Sequence, residues 1–206
     1  MIDALNIANL GVLRGDRRLF QKLFLEVRAG EAVALTGANG AGKTSLLRAI
    51  AGFIRPEGGQ IDFAYKSALQ DADEVRRKGL HMLGHLEGLK PARLASQELA
   101  FQCRYLGGDD VHMQKAVEAF HLAPLLDMET RRLSAGQRRR LSLARLVSAP
   151  RPLWLLDEPL SPLDGDWRKR AGKQMQAHLA GGGMIIAAVH DPLPFAARTF
   201  DLGAFA

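Results

Sequence analysis

Thr36-Gly37-Ala38-Asn39-Gly40-Ala41-Gly42-Lys43-Thr44-Ser45 is the stretch whose reading decides the fold. Residues 37–44 satisfy G-x-x-x-x-G-K-[ST], with a strand-like apolar run, Ala32–Thr36, before them and a helical run, Ser45–Ala51, after them. Glycines at 37, 40 and 42 let backbone N–H groups converge on phosphate oxygens, and the helix start adds partial positive charge. Lys43 is placed to reach the β and γ phosphates, and Thr44 offers an oxygen to Mg2+. The predicted nucleotide contacts are therefore Gly37, Ala38, Asn39, Gly40, Ala41, Gly42, Lys43, Thr44 and Ser45, with ATP and Mg2+ as cofactors.

Working outward, Leu153–Leu156 and Met184–Val189 are also continuously apolar, as strands buried on both faces of a parallel sheet should be. Helical patterns lie between them, which argues for an α/β fold with a mostly parallel core sheet. The opening segment differs: Leu5, Ile7, Leu10, Leu19, Leu23, Leu25 and Val27 flank a Gly15-Asp16 turn and read as an N-terminal antiparallel β subdomain. From about residue 86 to 132 strand signals stop, and helix-forming sequence broken at Pro91, Gly107-Gly108 and Pro124 predicts an inserted α-helical subdomain.

The run Leu153–Leu156 delivers Asp157 and Glu158 at its C-terminal end, where open α/β sheets bind ligands. Adjacent acids point in different directions, so Asp157 can hold the metal while Glu158 polarises a water. Alone, such a pair is more often a solvated strand end; beside a phosphate loop it becomes specific. Leu133-Ser134-Ala135-Gly136-Gln137 opens a helix with Ser134 as its natural N-cap. Arg138, Arg139 and Arg140 follow, and cations there oppose the helix dipole; they read as solvated side chains paired with local acids.

Motif order makes the chain resemble ABC transporter ATPases over nearly its whole length. Residues 37–44 match the family's Walker A, Leu133–Gln137 its signature, Leu153–Glu158 its Walker B, Ser161–Asp164 its D-loop, and His190 its switch histidine. The resemblance implies one P-loop ABC cassette over residues 1–206, with Glu158, His190 and Lys43 catalytic. It also implies a second cassette in a head-to-tail dimer, whose Ser134, Gly136 and Gln137 would cap the nucleotide.

Two positions depart from the family pattern. Where Gln is usual at the end of a core strand, Leu83-Gly84-His85-Leu86-Glu87-Gly88-Leu89-Lys90 offers His85, which could join Thr44 and Asp157 at the metal or be a plain turn histidine. Where a Tyr usually stacks on adenine, the chain offers Arg14, with Phe20 as an aromatic fallback.

Composition agrees with a globular enzyme: 47% hydrophobic and 24% charged residues suffice for a packed core. The net charge of +6 favours acidic partners without choosing among them. Cys103 is the only cysteine, which rules out an intrachain disulfide. The sequence has no secretory pattern at its start and no apolar run of the roughly 18 to 20 residues needed to span a bilayer. Any membrane role must then come through a partner, which the family resemblance implies to be integral membrane permease subunits.

Gly84-His85-x-x-Gly88-x-Lys90 and Leu133-Ser-Ala-Gly-Gln-Arg-Arg-Arg, ahead of Pro152-Leu-Trp-Leu-Leu-Asp-Glu-Pro159, resemble the ATP-binding subunits of bacterial cytochrome c maturation, or haem export, systems. That resemblance implies a peripheral subunit at the cytoplasmic face of the inner membrane. No haem-binding pattern is present: there is no C-x-x-C-H, and His81, His112, His121 and His178 have no paired spacing. The alternatives are another small-substrate ABC exporter or a soluble ABC ATPase acting on nucleic acid or ribosomes. Paired cassettes or long coiled coils, usual in the latter, are missing, so no direct nucleic-acid contact is expected.

Overall fold

The computed structural model describes residues 2–205. From the N-terminus, Ala4–Arg14 (β1) and Arg17–Arg28 (β2) are followed by Ala32–Thr36 (β3), Lys43–Ile50 (α1), Gly58–Tyr65 (β4) and Ala68–Gln70 (β5). Ala72–Lys78 (α2) and Leu80–Leu83 (β6) lead to three helices, Ala95–Tyr105 (α3), Asp110–Ala119 (α4) and Ala135–Ser148 (α5). Leu153–Asp157 (β7), Gly165–Ala180 (α6), Met184–Ala188 (β8) and Arg198–Asp201 (β9) complete the order.

One sheet runs β6-β7-β8-β3-β9 with every neighbouring pair parallel. Its three central strands are the three continuously apolar runs of the sequence. Alternate side chains along each strand enter different cores, because successive Cβ atoms point to opposite faces. Leu153, Leu155, Met184, Ile186, Val33 and Leu35 join the core that wraps α1 and the antiparallel sheet. Trp154, Leu156, Ile185, Ala187, Ala32 and Ala34 join the core shared with α5, α6 and the helical insertion. Buried on both faces, these strands have no room for a polar alternation.

The second sheet, β2-β1-β4-β5, is antiparallel and hinges on the turn at Gly15-Asp16 between β1 and β2. The α/β architecture with an antiparallel N-terminal sheet is thus the one expected. Four strands were not anticipated: β4 opens on exposed glycines and a glutamine, β5 is three residues long with Ala68 and Leu69 exposed, and the edge strand β9 is short and mostly exposed, so none shows a long apolar run. β6 is a run of only four residues, Leu80–Leu83.

Among the described residues no named strand falls between β6 and β7. The helical stretch runs on past residue 132 through α5. Gly107-Gly108 separates α3 from α4 for a steric reason: a Cβ on Gly108 would stand 1.9 Å from the Ser148 carbonyl oxygen and 2.8 Å from Cys103 Sγ. The end of α5 is therefore pressed directly onto that corner.

His81 on β6 is buried, with its Nε2 2.6 Å from the Ala149 carbonyl, to which the neutral ring donates. Burial, aided by Arg151 and Arg145 nearby and opposed by that hydrogen bond, lowers its pKa to about 3. The unfolded chain binds a proton near pH 6.5, so stability present above that value is lost as pH falls toward the folded pKa. Between pH 7 and 5 this one group should remove up to about 2 kcal/mol. Urea unfolding at both pH values should show a markedly smaller acid loss for His81→Gln, whatever its stability at pH 7.

Candidate active site

β3 ends at Thr36 and the chain turns through residues 37–42 into α1, whose first residue is Lys43. The turn needs glycine most at Gly42, which has φ 101° and caps α1. A Cβ there would also meet the Phe20 ring at 3.0 Å. Phe20 is fully buried and floors the loop, so it is not free to stack on a base; that expectation is corrected. Lys43 is nearly buried, and its Nζ donates to the carbonyls of Gly37 at 2.7 Å and Ala38 at 3.3 Å. The loop thus wraps one ammonium group.

The cleft above the loop has a volume of about 170 Å³. Asn39, Gly40, Gly42, Lys43, Thr44 and Ser45 form one wall, and Asp157, Glu158 and His190 the other. Arg14 and Leu19 close the end toward the antiparallel sheet. Gly37, Ala38 and Ala41 stand behind the lining as the frame of the loop, with Ala41 N–H donating to the Ala38 carbonyl at 3.1 Å.

Asp157, the buried last residue of β7, accepts from Thr44 Oγ1 at 3.0 Å and 3.1 Å on its two oxygens. These are hard oxygen donors of the kind that suit magnesium, which takes one or two protein oxygens beside phosphate and water. Glu158 leaves the strand in a left-handed conformation, φ 46°, while its N–H donates to the Ala188 carbonyl at 2.9 Å. The two carboxylates take different partners, Thr44 for Asp157 and His190 for Glu158. Glu158 Oε1 lies 3.0 Å from Nε2 of His190, two residues beyond β8.

Ser134, Gly136 and Gln137 begin α5 and do not line this cleft. Ser134 Oγ accepts from the Gln137 N–H at 3.2 Å, and Gln137 Oε1 accepts from the Ser134 N–H at 2.8 Å, a reciprocal capping box. His85 does not join Thr44 and Asp157. β6 stops at Leu83, the chain bends at 85–86, and His85 is exposed outside the cleft lining.

The arginine run also departs from expectation. Arg138 donates to the Leu133 carbonyl at 2.6 Å, and Arg140 donates to the Phe120 carbonyl at 3.0 Å while lying 3.7 Å from the centre of the Trp167 ring. Arg139, only 1% exposed, reaches the carbonyls of Gly84, Asp157, Glu158 and Pro159. Burial lowers its pKa, against the pull of Glu87, Asp157 and Glu158. Carbonyls rather than acids take these side chains. Sequence reading also missed Arg168 on α6, which donates to Asp191 at 2.8 Å and to the Leu160 carbonyl at 3.3 Å. Arg168 ties the loop after Glu158 to the loop carrying His190, and its only sequence signal is a charge one helical turn past Asp164.

Residues 20–161 match the family model described as ABC transporter. The chain is 48% identical over 197 residues, 96% of each chain, to the cytochrome c biogenesis ATP-binding export protein CcmA of Rhodopseudomonas palustris strain BisB5. It is 38% identical to the CcmA of Maricaulis maris, covering 98% of this chain and 93% of that one. A putative ABC transporter ATP-binding protein from Pyrococcus furiosus superposes with a TM-score of 0.85 at 22% identity, covering 98% and 99% of the two chains. The bacterial ABC transporter cassette MJ0796, solved as a dimer, superposes with a TM-score of 0.79 at 19% identity, covering 97% and 95%.

Gly42→Ala should lower nucleotide affinity at least about tenfold, since the new methyl meets both a disfavoured backbone angle and the Phe20 ring. Titration with a fluorescent ATP analogue, beside a melting curve, measures this loss separately from unfolding.

Proposed function

The chain belongs to the ABC transporter ATPase family and to its cytochrome c biogenesis ATP-binding export branch, and on that premise we propose that it couples ATP hydrolysis to the release of haem, or of a haem-carrying chaperone, through integral membrane partners. The cassette is an ATP-hydrolysing transporter subunit. The observation that carries the reading is the meeting of Glu158 and His190 at 3.0 Å on the wall opposite the loop of Lys43.

Phosphoryl transfer to water requires positioning and charge stabilisation more than covalent chemistry. Lys43 holds the phosphate chain, with Asn39, Gly40, Gly42 and Ser45 supplying polar contacts along it. Gly37, Ala38 and Ala41 set the curvature of the loop. Thr44 and Asp157 would hold Mg2+, which neutralises phosphate charge when bound. Glu158 takes the proton from, or polarises, the attacking water, and His190 fixes the carboxylate and faces the transferred group. Arg14, which lines the end of the cleft, is the group assigned to stack its guanidinium on the base.

Ser134, Gly136 and Gln137 belong to the opposing cassette's nucleotide in a head-to-tail dimer, which accounts for their absence from the cleft of their own chain. Among the described residues no helix is long and apolar enough to cross a membrane. By its family, the subunit docks on permease subunits, at the cytoplasmic face of the inner membrane in this reading. Nucleic acid is not among its partners.

Glu158→Gln should keep ATP binding and lose roughly two to four orders of magnitude in turnover, the usual worth of a general base. Turnover within a few-fold of the unmodified chain would remove Glu158 from that role. The partner assignment is tested separately: tagged Glu158→Gln protein is purified from detergent-solubilised membranes with ATP and magnesium. Small polytopic membrane proteins with a haem chaperone should co-purify. Ribosomal or DNA-bound proteins, with no membrane partner, would overturn it.

A further inference from the structure

Glu158 is the one site residue whose backbone sits where residues with a Cβ rarely go, at φ 46°. Such a conformation persists only when its surroundings over-determine it. Two contacts grip the residue on its N-terminal side: its own N–H on the Ala188 carbonyl at 2.9 Å, and the ladder pairing of Asp157 with Ala188. The carbonyl side of the turn has no strand partner. There the Glu158 carbonyl meets the Ser161 N–H at 3.3 Å and the guanidinium of Arg139.

Arg139 is unusual in its own right. It is a fully buried cation with no carboxylate within ion-pair distance among the described residues, and its donors go to backbone oxygens only. Taking a guanidinium out of water is costly, and the cost is offset only where several acceptors meet its planar fork. Here the acceptors are Asp157 at 2.8 Å, Pro159 at 2.9 Å and Glu158 between them, three consecutive carbonyls of the turn that carries both acids. The fourth is Gly84 at 3.0 Å, where β6 gives way to the Gly84–Lys90 segment.

We propose that Arg139 is a positioning residue for hydrolysis: it clamps the carbonyls around Glu158, holds that residue in its left-handed conformation and so keeps its carboxylate on His190. The assignment rests on the reading of Glu158 as the group that activates water. A corollary follows from the fourth bond. The exit of β6 and the turn at Glu158 share one guanidinium, so a displacement of Gly84 is transmitted to the catalytic carboxylate through a single side chain. A lysine could reach fewer of these carbonyls, and a glutamine offers one donor group in place of the fork.

The test compares Arg139→Gln, Arg139→Lys, Glu158→Gln and the double variant Arg139→Gln/Glu158→Gln in the full chain. Single-turnover hydrolysis of bound ATP, nucleotide affinity and thermal midpoint are measured for each. Arg139→Gln should slow hydrolysis on the order of 10- to 100-fold, the scale of a misplaced reacting group, with nucleotide affinity held within about threefold. Arg139→Lys should recover part of that loss. On the Glu158→Gln background, Arg139→Gln should add less than about twofold, because the group it positions is gone.

A full further loss on that background would overturn the proposal, as would hydrolysis by Arg139→Gln within about twofold of the unmodified chain. Affinity and thermal midpoint falling together in both Arg139 variants would make the residue a structural one and also overturn it. Undiminished hydrolysis by Glu158→Gln alone would instead remove the role of Glu158, an outcome distinct from any failure confined to Arg139.

Discussion

Ala188 is paired with Leu35 of β3 on one side and with Asp157 of β7 on the other. That double register is the constraint on which the site depends. It sets three parallel strands to end at one level, so the phosphate loop after β3, the two acids of β7 and the histidine after β8 emerge side by side. A slip of one residue in β7 would turn Asp157 to the other face and break its contact with Thr44. Apolar side chains buried on both faces of all three strands make such a slip prohibitive, since Trp154 and Leu155 would exchange cores. The chemistry of the cleft thus inherits its precision from hydrophobic packing at a distance from it.

Where the strands end, their ladder bonds end too, and the turn at Glu158 must be held by other means. A left-handed non-glycine residue costs roughly 1–3 kcal/mol. Arg139 supplies the opposing contacts, and Arg168 repeats the device on the next loop by joining Leu160 to Asp191. Both arginines project from helices, α5 and α6, that pack in the same core as Trp154 and Leu156. The helical layer therefore covers the sheet and also reaches through to the loops that carry Glu158 and His190.

The legible parts of this arrangement are those with a local cause. Residues 37–44 announce a loop because glycines and a lysine at fixed spacing have one use between a strand and a helix. The runs beginning at Ala32, Leu153 and Met184 announce buried strands because nothing polar interrupts them. Strands β4, β5 and β9 escape notice for the opposite reason: they lie toward sheet edges or open to solvent, and β4 and β9 also pair with β1 and β3, far off in sequence. His85 falls outside the cleft because β6 stops at Leu83, which a motif position does not fix, and it stands as the turn histidine that the sequence also allowed. Phe20 was misjudged because its partner, Gly42, lies 22 positions further along the chain, and a steric fit between a ring and a missing Cβ leaves no trace in either segment.

The arginines carry the same lesson for charge. A net charge of +6 suggests a basic surface, yet Arg138, Arg139, Arg140, Arg145 and Arg151 each donate to a backbone carbonyl. Arg145 is buried deeply enough that its pKa falls to about 10, and it still finds the Met82 carbonyl at 2.8 Å. Carbonyls at the ends of strands and helices have no ladder partner and hold partial negative charge, which a buried guanidinium can satisfy without a counter-acid. These arginines are thus directed inward, where they fasten loops to the ends of secondary structure. The net charge therefore reflects, in part, arginines used inside the fold, and the family assignment, not the basic composition, decides between a membrane partner and a nucleic acid.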